Sequence, residues 1–251
     1  MIKACLNGNR KPGEHSALPL SAEELARDAR GVVGAGAGAL HFHPRLPDGS
    51  EILEAEAVAA SVGTVRAACP NVPVGVSTGS WIEPDLERRI ELVGVWGSLP
   101  AEDRPDFASV NLSEERATEV CTVLLDVGVG VEAGLWMPKD VRLLLESGLA
   151  DRCTRVLIEL VRERTAEKAR TTAQRIERVL DEARVSTPRL LHGEGEITWP
   201  MLGYALERGY DTRIGLEDTL MMPDGNPARD NEQLVSTALE LAAQAGRAFG
   251  S

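Results

Sequence analysis

Two of the four histidines in this 251-residue chain, His41 and His43, stand one residue apart at the end of the apolar stretch "ALHFH". In an extended strand successive side chains alternate between faces, so both imidazoles point one way and Phe42 the other. A carboxylate joining them would complete a two-histidine, one-carboxylate site for a borderline divalent ion, Zn2+ first and then Mn2+, Fe2+ or Co2+. Three protein ligands leave positions open for a substrate. Near the other end of the chain, "TRIGLED" offers Glu217, with Arg213 earlier on the same expected strand face and Asp218 just past the strand end. A carboxylate beside a metal is suited to general-base work, and a neighbouring arginine holds it ionised and oriented. The same residues also allow a structural arrangement, in which Glu217 pairs with Arg213 or Arg45, the histidines bond backbone and Asp218 caps a turn.

Such a site requires a scaffold that brings residues 41–43 next to residue 217. Short apolar runs at 2–6, 38–43, 73–77, 106–111, 128–133, 154–160, 188–193 and 212–217 read as strands. Helical patterns lie between them at about 21–36, 55–69, 83–95, 113–126, 138–148, 162–184, 197–208 and 230–248, the first opened by a Ser21/Glu24 capping box. Eight strands alternating with eight helices, about 31 residues per unit, predict a (β/α)8 TIM barrel as a single domain over 1–251, with an open doubly wound sheet as the alternative. In a closed barrel strands one and eight are neighbours, so Glu217 can lean over Asn7 towards the histidines. Polar residues end nearly every strand, at the rim where barrel sites form: Asn7, His41 and His43, Ser77, Ser109 and Asn111, Glu132, Glu159, His192 and Glu194, then Glu217 and Asp218. The run "GAGAGA" at 34–39 ends a helix and opens a strand, the reverse of a dinucleotide fingerprint, and reads as helix-capping glycine.

The formal net charge of -12 argues against a phosphate-backbone binder and hence against nucleic acid as a partner. Four scattered cysteines without CxxC spacing point to reduced thiols. "MIKACLN" lacks the apolar core of a signal peptide, and no apolar run approaches a membrane span, so the expectation is a cytoplasmic protein with no membrane association.

The chain resembles the β-keto acid cleavage enzymes through "ACLNG", "LPLSAEELARDA", "GALHFHPRLPDG", "VSTG", "ASVN" and "TRIGLEDT", which occur in family order along most of its length. The resemblance implies a (β/α)8 barrel carrying one Zn2+ on His41, His43 and Glu217. It implies a reaction in which a β-keto acid condenses with acetyl-CoA and is cleaved to acetoacetate and a new acyl-CoA. The position matching Asp218 removes the acidic proton, the one matching Arg213 supports that base, and Asn7, Arg10, Ser77, Ser109 and Asn111 fall at substrate-binding positions. A homo-oligomer, dimer or tetramer, is implied as well.

Two departures qualify the resemblance. Glutamates after strands one and five hold the substrate amine in the type enzyme, whereas Arg10 and Gly134 stand at the nearest positions here, so the expected substrate lacks that 5-amino group. The glycine-rich loop that follows strand six in many members is replaced by "LIELVRERTAEKARTT", which makes CoA binding depend on side chains such as Arg162, Arg164 and Lys168. Two other readings remain: a CoA-independent metal-dependent aldolase, lyase or hydrolase of a small oxo acid, and a non-enzymatic metal- or metabolite-binding barrel.

Overall fold

The computed structural model describes residues 1–247. Eight parallel strands, β1 (Ile2–Cys5), β2 (Ala39–Phe42), β3 (Val74–Ser77), β4 (Phe107–Asn111), β5 (Gly130–Leu135), β6 (Arg155–Leu160), β7 (Arg189–Gly193) and β8 (Thr212–Ile214), are hydrogen-bonded in the order β7-β6-β5-β4-β3-β2-β1-β8. A parallel bridge between Leu190 and Asp211 joins the two ends. Helices α1 (Ala22–Ala35), α2 (Ala55–Ala68), α3 (Leu86–Val95), α4 (Ala117–Asp126), α5 (Pro138–Glu146), α6 (Ala166–Glu182), α7 (Thr198–Arg208) and α8 (Asn231–Gln244) alternate with the strands. The expected (β/α)8 barrel is therefore the fold, and the open sheet is not.

The local signals work as the sequence suggests. Ser21 and Glu24 form the reciprocal capping box of α1, and Gly36 closes that helix at a left-handed φ of 114°. Outward-facing Val, Leu and Ile side chains of the strands pack against the apolar faces of the helices. All four cysteines are buried free thiols. No helix among the described residues is long and apolar enough to cross a membrane.

The inside of the barrel is unlike this shell. At its N-terminal end Lys3 and Glu132, both fully buried, form an ion pair, Arg155 joins at 3.3 Å, and both cations lie over the ring of Phe107 at 5.5 and 5.7 Å. This polar floor lies below the histidines, so every functional side chain described next faces the opposite, C-terminal mouth.

Strand eight is shorter than the sequence suggests. Regular pairing stops at Ile214, because Gly215 passes so close to β1 that a Cβ would stand 1.9 Å from the Cys5 carbonyl oxygen. The chain then turns, with the Asp218 and Thr219 amides donating to the Gly215 carbonyl and Asn231 accepting from Leu216 N. Glu217 and Asp218 consequently sit in a turn and not on a strand face, yet both remain within reach of Arg213.

Candidate metal centre and adjoining cavity

His41 is on β2 and His43 one residue past its end, and with Glu217 they offer three ligand atoms lying within 4.8 Å of one another. His41 Nε2 is 3.8 Å from Glu217 Oε2, and His43 Nε2 is 4.0 Å from Glu217 Oε1. The two rings stand edge to face, 5.3 Å between centroids. His43 Nδ1 is bonded to Glu51, whose other contact is the Trp81 indole N–H at 3.1 Å, and Trp81 stacks on the His43 ring. That carboxylate fixes the ring and leaves Nε2 turned to Glu217. Burial, reinforced by the charge of Lys3, pushes the His41 pKa well below its usual value, and neutral imidazole is the form that coordinates an ion. Glu217 Oε2 is buried without a hydrogen-bond partner among the described residues. Two imidazoles and one carboxylate, one of whose oxygens is buried without a hydrogen-bond partner, fit a divalent cation.

The backbone around this centre is built to admit Glu217. Gly8, at φ 52°, passes so near that a Cβ would lie 2.2 Å from Glu217 Cγ, so both its left-handed conformation and the space call for glycine. Asn7 continues the strand register beyond β1 with its side chain: its Oδ1 accepts from His43 N at 2.8 Å, and its amide donates to the carbonyls of His43 and Pro19. Arg10 donates to the carbonyls of Leu216 and Glu217, holding the turn that carries the third ligand. Both residues, expected at substrate-binding positions, are engaged with backbone in this way. Arg45 does not pair with Glu217; it donates to the carbonyls of Gly8, Arg10 and Gly49.

Behind Glu217 lies a chain of buried charges. Arg213 donates to Asp218 Oδ1 from Nε (3.1 Å) and Nη2 (2.8 Å), and to Glu217 Oε1 at 2.9 Å. His192 stands 3.4 Å from Asp218 on one side and 3.4 Å from Glu159 on the other, and Glu159 accepts from the Trp136 indole N–H at 2.6 Å. Burial alone would raise Asp218, but Arg213 and His192 outweigh it and hold its pKa below the usual carboxylate value. Burial and Arg213 act to lower His192, yet its two carboxylate neighbours raise it, so its charged form is favoured. Asp218 Oδ2 has no hydrogen-bond partner among the described residues.

A cavity of about 340 Å³ opens from the histidines to the mouth. Ser77, Ser109 and Asn111 line one wall, as the sequence reading placed them, and Arg213 and Glu217 line another. Asp218, fully buried, lies behind these two. Glu159, Glu194, Trp136 and Arg162 complete the far end. Glu194 is exposed at the cavity, yet desolvation by the surrounding protein, with the Asp218 and Glu217 charges adding to it, pushes its pKa up to about 7.

Sequence reasoning placed Glu159, His192 and Glu194 at strand ends without giving them roles, and it missed Glu51, Trp81 and Trp136. Glu51 and Trp81 sit in loops with no periodicity to mark them; only their position just after His43 and after the "VSTG" strand end offered a signal. The expected departure after β6 is present: residues 161–165 form a short link into α6 without glycine, and Thr165 caps the helix.

A sequence model of the beta-keto acid cleavage enzyme family matches residues 1–250. The 3-keto-5-aminohexanoate cleavage enzyme of Acetoanaerobium sticklandii is 24% identical over 258 residues, spanning 98% of this chain and 93% of that protein. That of Fusobacterium nucleatum subsp. nucleatum is 23% identical over 269 residues, spanning 98% and 92%. Among solved structures, the ternary complex of ObcA with a C4-CoA adduct and oxalate superposes with a TM-score of 0.74 at 18% identity, over 92% of this chain and 65% of that one. The binary complex of ObcA with oxaloacetate gives 0.73 at 19%, over 92% and 64%. The chain thus spans somewhat less than two thirds of ObcA, and the likeness is one of fold.

Proposed function

Because this chain belongs to the beta-keto acid cleavage enzyme family, we propose that it condenses a β-keto acid with acetyl-CoA and cleaves the product to acetoacetate and a new acyl-CoA. His41, His43 and Glu217 hold one Zn2+, which when bound supplies Lewis-acid polarisation of the substrate ketone. The single observation that carries the reading is the convergence of this open three-ligand set with a buried, arginine-held carboxylate whose second oxygen is free.

The protein's own groups then have defined tasks. Asp218 takes the proton from the carbon between the two carbonyls, and Arg213 keeps it ionised and oriented. The resulting carbanion attacks the thioester carbonyl of acetyl-CoA and expels CoA thiolate. The thiolate adds to the original ketone, the carbon-carbon bond breaks, and the proton returns to give acetoacetate. Ser77, Ser109 and Asn111 line the cavity where substrate oxygens would accept or donate hydrogen bonds. Asn7 and Arg10 act on substrate indirectly, by fixing His43 and Glu217.

A second candidate for the base is Glu194, favoured by its place on the cavity wall and a pKa near the operating range. The substrate tail carries no ammonium group in this reading: the Glu159 carboxylate already faces His192 and accepts from the Trp136 N–H, and Arg162 stands at the mouth. The test is a panel of β-keto acids incubated with and without acetyl-CoA. Acetoacetate formed only with acetyl-CoA supports the proposal; cleavage without it points to a lyase or hydrolase, and no turnover with tight metal points to a binding protein.

A further inference from the structure

Between α5 and α6 runs a groove of about 420 Å³, lined by Lys139, Arg142, Arg162 and Arg175 with Glu163 as its single acidic side chain. The four cations come from two helices and a loop, and no sequence motif groups them. They are exposed, and none of them makes a side-chain hydrogen bond or ion pair among the described residues. Arginines such as Arg116, Arg152, Arg170 and Arg189 pair with carboxylates, whereas here four unpaired cations gather on one groove of a chain whose formal charge is -12. Four like charges facing one groove repel one another, a cost that a bound anion removes.

The groove adjoins the cavity above the histidines. Trp136 and Arg162 line both, and the Arg162 guanidinium lies 4.6 Å from the centroid of the Trp136 ring. A ligand with its reactive end in the cavity and a long polyanionic tail would pass this pair and reach Lys139, Arg142 and Arg175. Resting on the acyl-CoA reading above, we infer that this groove binds the nucleotide phosphates of the CoA thioester. Side-chain charge from α5 and α6 takes the place of backbone amides, which the glycine-free link between β6 and α6 does not present. Arg162 is the one cation of the 162–168 segment that lines this groove; Arg164 lines a separate one beside Arg10 and Glu196.

The test compares the full chain with the double variant Arg142→Gln, Arg175→Gln, using acetyl-CoA and acetyl-pantetheine, which lacks the nucleotide phosphates. KM for acetyl-CoA should rise roughly tenfold or more in the variant, while KM for acetyl-pantetheine changes less than about twofold. Adenosine 3′,5′-bisphosphate should compete with acetyl-CoA in the parent protein and lose that effect in the variant. Equal KM values for acetyl-CoA in the two proteins, or inorganic phosphate competing as well as the bisphosphate, would overturn the inference. Should neither thioester be turned over, the acyl-exchange reading fails by itself, and calorimetric titration with CoA still decides the groove: tight binding weakened about tenfold by the double variant supports it, and unchanged or absent binding refutes it.

Discussion

Glu159 on β6 fills the space in front of Gly134 on β5: a Cβ at residue 134 would stand 2.8 Å from Glu159 Oε2 and 3.0 Å from Asn111 Oδ1. The missing side chain on one strand is thus the room occupied by a carboxylate from the next. Gly134→Ala should push Glu159 off Trp136 and His192, lowering stability by about 1–3 kcal/mol and raising KM for the β-keto acid. Thermal melting together with KM measurement checks this; an unchanged melting temperature would show that the carboxylate has another resting place.

Gly8 bears on the metal in the same steric way. Gly8→Ala should leave the barrel folded but displace Glu217, with metal affinity falling at least about tenfold. Metal content after dialysis, read beside circular dichroism, gives the result, and full occupancy would contradict the role of Gly8.

Glu51→Gln keeps a partner for His43 Nδ1 while removing the charge that orients it. A loss of about 10–100-fold in metal affinity is expected, measurable by competition with a chelator of known affinity.

The two candidate bases separate by substitution. Asp218→Asn should retain metal and lower kcat by about 10²–10⁴-fold, whereas Glu194→Gln should change kcat by less than about tenfold. The reverse ranking would move the role to Glu194. Melting curves of Asp218→Asn are needed alongside, since Arg213 loses one of its two charged partners.

A further titration lies far from the mouth. Asp28 on α1 is pushed up to about 7 by burial, against the opposing hydrogen bond from Asn231. The folded state therefore binds this proton more tightly than the unfolded chain does, so the contribution of Asp28 to stability is fully present below about pH 4 and is lost as pH rises to about 7. Asp28→Asn should flatten that part of the profile in denaturant titrations at several pH values. A slope identical to that of the parent would remove Asp28 as its source.

Much of this architecture is legible in the sequence because local rules and global fold agree. Alternating apolar runs mark all eight strands, and Ser21, Glu24 and Gly36 mark the ends of α1. The expected pair His41 and His43 does come together with Glu217. What escaped depends on contacts distant in sequence. That Asn7 and Arg10 would spend their donors on backbone carbonyls, that β8 would stop at Gly215, and that Glu51 would orient His43 follow only from how neighbouring loops pack. The helix expected at 230–248 ends at Gln244, and residue 248 lies outside the described residues.

The ion-paired floor of Lys3, Glu132 and Arg155 makes the catalytic hollow a cul-de-sac. With the floor closed, the approach to His41 is from the C-terminal mouth, so in the proposed reaction a small keto acid seated at the bottom would be roofed over by the longer partner that follows it. Under the proposed reaction the order of arrival and departure would then be set by depth: the last molecule in would have to loosen before the first could leave.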